Sequence, residues 1–179
     1  MDLLNNYKIM KTFYHVSQEL DTFNSSYIYG EARPLDIVNI LKSHNYDELD
    51  SFIDIGSGCG KIVLSVAFML NINATGVEID KNRYKQSLKL LENTQLHNLV
   101  YFENCNFQNI YFGNYTILYC CNLVFCETTN KLLYNKIINE FTGVFILCNY
   151  DYSLKKYLKS THVVKTSWNV KQNLYVFYK

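Results

Sequence analysis

From Phe52 the chain reads Phe-Ile-Asp-Ile-Gly-Ser-Gly-Cys-Gly and continues at once into Lys-Ile-Val-Leu-Ser-Val-Ala-Phe-Met-Leu, ending at Leu70. An apolar run closes on Asp54, glycines follow at 56, 58 and 60, and an apolar helical pattern opens. This is a strand, a tight turn and a helix. Glycines in such a turn permit positive φ and close approach of a ligand, and the helix start brings backbone N–H donors without intrahelical partners. Spacing then separates the chemistries that use this turn. A dinucleotide fingerprint requires glycine where Lys61 stands, and a phosphate-binding P-loop requires glycine at Ile55 and a hydroxyl residue at Ile62. The pattern present is instead Asp-x-Gly-x-Gly-x-Gly. The next apolar segment, Ala74-Thr75-Gly76-Val77, ends on Glu78, a carboxylate whose two oxygens suit a pair of neighbouring hydroxyls. The plain alternative is a glycine-rich α/β turn with no ligand, which leaves Asp54, three glycines and Glu78 in register without a reason.

Asp-x-Gly-x-Gly-x-Gly resembles the first motif of class I S-adenosylmethionine-dependent methyltransferases. The resemblance implies that Asp54, Gly56, Ser57, Gly58, Gly60 and Lys61 hold S-adenosylmethionine at its methionine end, and that Glu78 takes the ribose hydroxyls. After the third expected strand stand Asn106 and Phe107, where that family commonly places an amide or acid and an apolar residue against the adenine. Their plain reading is a loop asparagine beside a core phenylalanine. After the fourth come Asn122 and Phe125, which keep the outer spacing of the Asn-Pro-Pro-Tyr element of amino-directed methyltransferases without its prolines. Transfer to an amine needs a neutral lone pair aimed at the methyl group. A lysine with a reference pKa of about 10.4 reaches that state through desolvation, an aromatic ring can supply the desolvation, and an asparagine carbonyl can hold an amine N–H in line. The plain reading is a strand-ending asparagine and a helix-packing phenylalanine.

Tyr29-Gly30-Glu31 ahead of a helix containing Asp36-Ile37-Val38, the glycine motif, Gly76-Val77-Glu78 and the strand-four segment Ile117 to Phe125 together resemble the non-SET histone lysine methyltransferases, the disruptor of telomeric silencing family. That resemblance implies a loop carrying Tyr29 and Glu31 that closes over the cofactor, with Tyr29, Asn122 and Phe125 at the reacting end, and a protein lysine, histone included, as substrate. Two positions depart from the family pattern: Cys121 replaces the first of two asparagines, and Ala32 replaces a hydroxyl residue. Cofactor binding therefore carries over better than histone specificity. A nucleic-acid or small-molecule methyltransferase, and a non-catalytic cofactor-binding subunit, stay open as alternatives.

The elements that must position these residues follow from periodicity. The expectation is a Rossmann-like α/β fold with a seven-stranded, mostly parallel sheet, helices on both faces and a C-terminal β-hairpin. Strands are expected at 52–55, 73–78, 98–103, 115–120, 143–148, 161–167 and 173–178. Helices are expected at 2–20, from Pro34, and at 59–70, 81–93 and 127–140, with a short one over 151–158. The 179 residues read as one domain, with N-terminal helices and a cofactor-covering loop over 1–48 and the core over 51–179. A net charge of +1 with dispersed basic residues supplies no long-range field toward nucleic acid or membrane. Six cysteines without a C-x-x-C pair read as buried thiols rather than a zinc site, so no metal is expected. No apolar run reaches membrane-span length and no signal-peptide layout opens the chain, which makes cytoplasm or nucleus the expected location.

Overall fold

The computed structural model describes residues 32–44, 46, 50–166, 169 and 171–179; the helix expected over 2–20 and the Tyr29-Gly30-Glu31 element lie outside the described residues. Helix α1 (Pro34–Lys42) starts on a proline, whose fixed φ and missing N–H suit the first helical position. It buries Ile37, Val38, Ile40 and Leu41. Strand β1 (Ser51–Ile55) leads through the glycine turn into α2 (Lys61–Leu70), which starts two residues later than periodicity predicts. Gly60 explains the delay: its φ of 80° is left-handed and cannot open a right-handed helix. Helix α2 is buried on nearly every side, between the sheet and α1, as its almost unbroken apolar sequence requires.

Next come β2 (Asn73–Val77), α3 (Lys81–Glu92), β3 (Val100–Glu103), β4 (Ile117–Cys120), α4 (Glu127–Glu140), β5 (Val144–Leu147), β6 (Leu158–Val164) and β7 (Gln172–Tyr178). The strand order is β3-β2-β1-β4-β5-β7-β6. All pairings from β3 to β5 are parallel, while β7 runs antiparallel between β5 and β6, so the expected sheet is the observed one. The boundary at the hairpin differs. The segment over 151–158 is a 3-10 turn at Tyr152–Tyr157, and β6 starts at Leu158 because that residue already pairs with Phe177.

Each sheet face has its own core. On one face Phe52 and Ile146 of the sheet cluster with Val63, Leu64 and Val66 of α2, and on the other Ile53, Leu118 and Phe145 cluster with Leu133 and Ile137 of α4 and with Phe141. Each such side chain contributes about 1.5–3 kcal/mol when fully buried. The carboxyl ends of β1, β2 and β4 are thereby fixed side by side, at the point where the chain crosses from one half of the sheet to the other. Crevices that bind ligands form at this place in open α/β sheets. Among the described residues, no helix is long and apolar enough to cross a membrane.

Candidate active site

A cavity of about 540 Å³ opens at these strand ends, within the range that accommodates small-molecule ligands. It is lined by Ile55, Gly56 and Val77 from the ends of β1 and β2, by Glu78 and Arg83, and by Phe107, Cys121, Leu123, Val124 and Phe125. Gly56 has φ 77°, and a Cβ built there would project to within 3.6 Å of the Phe125 ring. That is ordinary van der Waals contact, so it is the left-handed φ that favours glycine here. The Phe125 ring lies parallel to that of Phe107, 6° between planes and 6.2 Å between centroids, and Phe107 in turn packs on Phe112.

Glu78 is buried, yet both of its oxygens are engaged. Oε2 accepts the Gly58 N–H at 2.8 Å, and Oε1 accepts the Asp80 N–H at 2.8 Å. A carboxylate has about four acceptor positions, so each oxygen keeps capacity for one further donor. The acid therefore braces the glycine turn while keeping capacity for two further donors. Asp80 caps α3 by accepting from the Asn82 and Arg83 N–H groups, and this capped first turn carries Arg83, which lines the cavity as Glu78 does.

The amides of the glycine turn itself are engaged within the fold. The Gly56 and Ser57 N–H groups donate to Val77 O at 2.8 and 3.0 Å, Gly58 donates to Glu78, and Gly60 donates to Ser57 O at 2.9 Å. These amides shape the turn rather than face the cavity. Gly56, Glu78, Asn106, Phe107 and Phe125 are brought together at the cavity. Asp54, Ser57, Gly58, Gly60 and Lys61 lie behind its lining, where Asp54, Ser57 and Lys61 are buried. Asn106 uses its side-chain oxygen to accept the Gln108 N–H at 3.0 Å, so it caps a short turn as well as lining the cavity. Tyr29 and Glu31 lie outside the described residues.

Asn122, expected from spacing to face an incoming amine, lies inward in this structure. It is fully buried, it is absent from the cavity lining, and its amide bonds to α4 and to the β5 end. The neighbouring Cys121 faces the cavity instead. Spacing missed two further residues. Asn104 donates to Glu78 O at 2.8 Å and fixes the backbone that carries the acid, and Thr129 reaches the cavity from the first turn of α4. An asparagine directly after a strand was the available signal for Asn104; none marked Thr129.

The thiols divide sharply. The adjacent Cys121 thiol, followed by burial, pushes Cys148 up, and burial pushes Cys120 well up. Cys126 is exposed at the start of α4, and hydrogen bonds from the Thr128 and Thr129 hydroxyls at 3.0 and 3.1 Å bring it down to about 7. Because the thiolate is the nucleophile, Cys126 is expected to be alkylated fastest of the six, with a rate that rises through about pH 7. Peptide mapping after brief iodoacetamide treatment checks this, and a T128A/T129A double variant should move the midpoint upward.

The fold is that of class I S-adenosylmethionine-dependent methyltransferases. An RNA methyltransferase from Salinibacter ruber, solved with S-adenosyl-L-homocysteine, superposes with a TM-score of 0.66 at 19% identity, over 80% of this chain and 90% of that one. Magnesium protoporphyrin IX methyltransferase from Synechocystis PCC 6803, solved with bound SAM, gives a TM-score of 0.66 at 14% identity, over 82% of this chain and 78% of that one. The family model described as histone methylation protein DOT1 matches residues 12–141, and the chain belongs to this family. A histone-lysine N-methyltransferase of Dictyostelium discoideum, H3 lysine-79 specific, is 32% identical over 89 residues; the match spans 50% of this chain and 4% of that protein's length.

Proposed function

We propose that the chain binds S-adenosylmethionine in the 540 Å³ cavity and methylates a lysine side chain of a protein, with a histone as the leading substrate. The observation that carries this reading is a buried acid with two remaining acceptor positions and a pair of parallel aromatic rings lining one cavity, in a chain of the histone-methylation family. The residues present fit such a cofactor. Glu78 suits the ribose diol, the bare Gly56 backbone suits close approach, and Asn106 with Phe107 suits a purine edge and face.

S-adenosylmethionine supplies an electrophilic methyl group on a sulfonium. The protein's share is to position and desolvate. Among the described residues lining the cavity, Glu78 is the one carboxylate, so the wall formed by Cys121, Leu123, Val124 and Phe125 offers no anion to hold a lysine ammonium. Such a wall favours the neutral amine, the form with a lone pair available for reaction. Phe125 is the residue best placed to exclude water there, and the family resemblance adds Tyr29 and Glu31 as covering residues. A histone substrate would put the chain on chromatin.

Incubation with radiolabelled S-adenosylmethionine and separate histone, RNA and DNA pools tests the reading. Label is expected in the histone pool, on lysine. Label confined to RNA or DNA overturns the lysine substrate, and donor binding without product from any pool points to a non-catalytic subunit.

A further inference from the structure

Asn130 occupies an otherwise unexplained position. It lies in the first turns of α4, is 7% exposed, and has a side chain that neither favours helix interiors nor suits an apolar core. Its hydrogen bonds give the reason. The Asn130 Nδ2 group donates to Phe125 O at 3.0 Å and to Asn122 O at 3.4 Å, and its Oδ1 accepts from Asn122 Nδ2 at 2.6 Å. The two carbonyls bracket the short 3-10 turn Asn122–Val124, which places Leu123, Val124 and Phe125 on the cavity wall. Buried carbonyls of this kind need donors, and an asparagine reaching back from the helix supplies both.

The network continues beyond this turn. Asn122 Nδ2 also lies 2.9 Å from Asn149 O and 3.1 Å from Tyr134 Oη, its two N–H groups being shared among these and Asn130 Oδ1, while Asn122 Oδ1 accepts the Cys148 and Asn149 N–H groups at 3.2 and 3.0 Å. Tyr134 donates its own hydroxyl to Asn149 O at 3.0 Å. One buried amide thus ties the end of β4 to the end of β5, and Asn130 locks that amide to the helix.

We infer that Asn130 is a positioning residue for methyl transfer: it touches neither reactant, and it holds Phe125 against Gly56 through the Asn122–Val124 turn. Its effect on turnover rests on the methyltransferase reading above; its effect on the turn does not. Ordering the wall in advance keeps the aromatic ring in place without a rearrangement at each cycle, the role of a supporting shell around a reacting site.

Asn130→Asp is the informative variant. It keeps the size and the acceptor for Asn122, and replaces the donor to two carbonyls with an oxygen that repels them. Hydrogen exchange of donor-free protein is read on a peptide covering 121–126, which includes the Phe125 N–H that donates to Asn122 O. Exchange there is expected to speed up by about tenfold, with peptides over β1 and α2 unchanged, since each tenfold corresponds to loss of one well-made hydrogen bond. In the same variant kcat on the lysine substrate should fall by about tenfold, while the donor dissociation constant stays within about threefold. Unchanged exchange at 121–126 overturns the inference, as does a loss of kcat, substrate KM and donor affinity in one common proportion. If wild-type protein binds donor and methylates nothing, the functional reading fails and exchange alone decides the positioning role. Should Asn130→Asp not fold, Tyr134→Phe carries the same measurement, with an expected acceleration of about threefold at 121–126.

Discussion

Glu78→Gln is expected to weaken S-adenosylmethionine binding by about 10- to 100-fold and to lower stability by about 2 kcal/mol. The two effects share one cause. Glu78 accepts backbone N–H groups from Gly58 and Asp80 on its two oxygens, inside the fold, and a glutamine has only one oxygen to offer. Its NH2 group must then face one of these donors, which leaves a buried N–H unsatisfied and sets two donors against each other. A hydrogen bond to a charged group contributes about 1.5–3 kcal/mol, so losing one on the protein side and one on the ribose side accounts for both figures. Titration calorimetry with donor and with S-adenosylhomocysteine measures the first effect, and urea unfolding measures the second. Donor affinity within about threefold of wild type, in protein shown to be folded, would remove Glu78 from the site.

The contrast between Glu78 and Asn122 shows which parts of the site were legible in the sequence. The placement of Glu78 and Gly56 at the cavity was readable because it follows from local chain geometry. An acid closing a strand must face the strand ends, and a glycine flanked by others marks a left-handed turn whatever packs around it. Asn122 was not readable in the same way. The Asn-x-x-Phe spacing puts both residues after β4, but the side each one faces depends on how the turn winds. The 3-10 turn sends Leu123, Val124 and Phe125 to the cavity and Asn122 inward to partners eight and twelve residues later, Asn130 and Tyr134. Polar residues at 130 and 134 share a helix face with Leu133 and Ile137, and this was the available trace of a buried network. The sheet was legible almost throughout because an alternation of strands and helices admits few topologies. The turn amides were not, since nothing in Gly-Ser-Gly says that Val77 O, across the neighbouring strand, will take two of them.

Gly60→Ala is expected to cost about 3–5 kcal/mol, the largest effect of any single methyl group added near the site. Gly60 has φ 80°, and a left-handed residue carrying a Cβ costs about 1–2 kcal/mol before any contact is counted. The new Cβ would also overlap the Phe102 ring and lie 3.0 Å from Ser87 Cβ. Phe102 is itself buried in the core, so moving it aside disturbs its packing. The same edge of the ring fills the space over Gly76, where a Cβ would stand 2.6 Å from it, so one aromatic side chain occupies the room left by both glycines. The strain must then pass into the glycine turn, whose Gly58 N–H grips Glu78, and donor affinity should fall with stability. A double-mutant cycle with Phe102→Leu separates the contributions. If overlap with the ring dominates, Gly60→Ala in the Phe102→Leu background should cost at least about 1 kcal/mol less than in wild type, because the smaller side chain leaves room for the methyl group. Additive costs in that cycle would assign the whole effect to backbone strain and would show that the ring does not brace the turn.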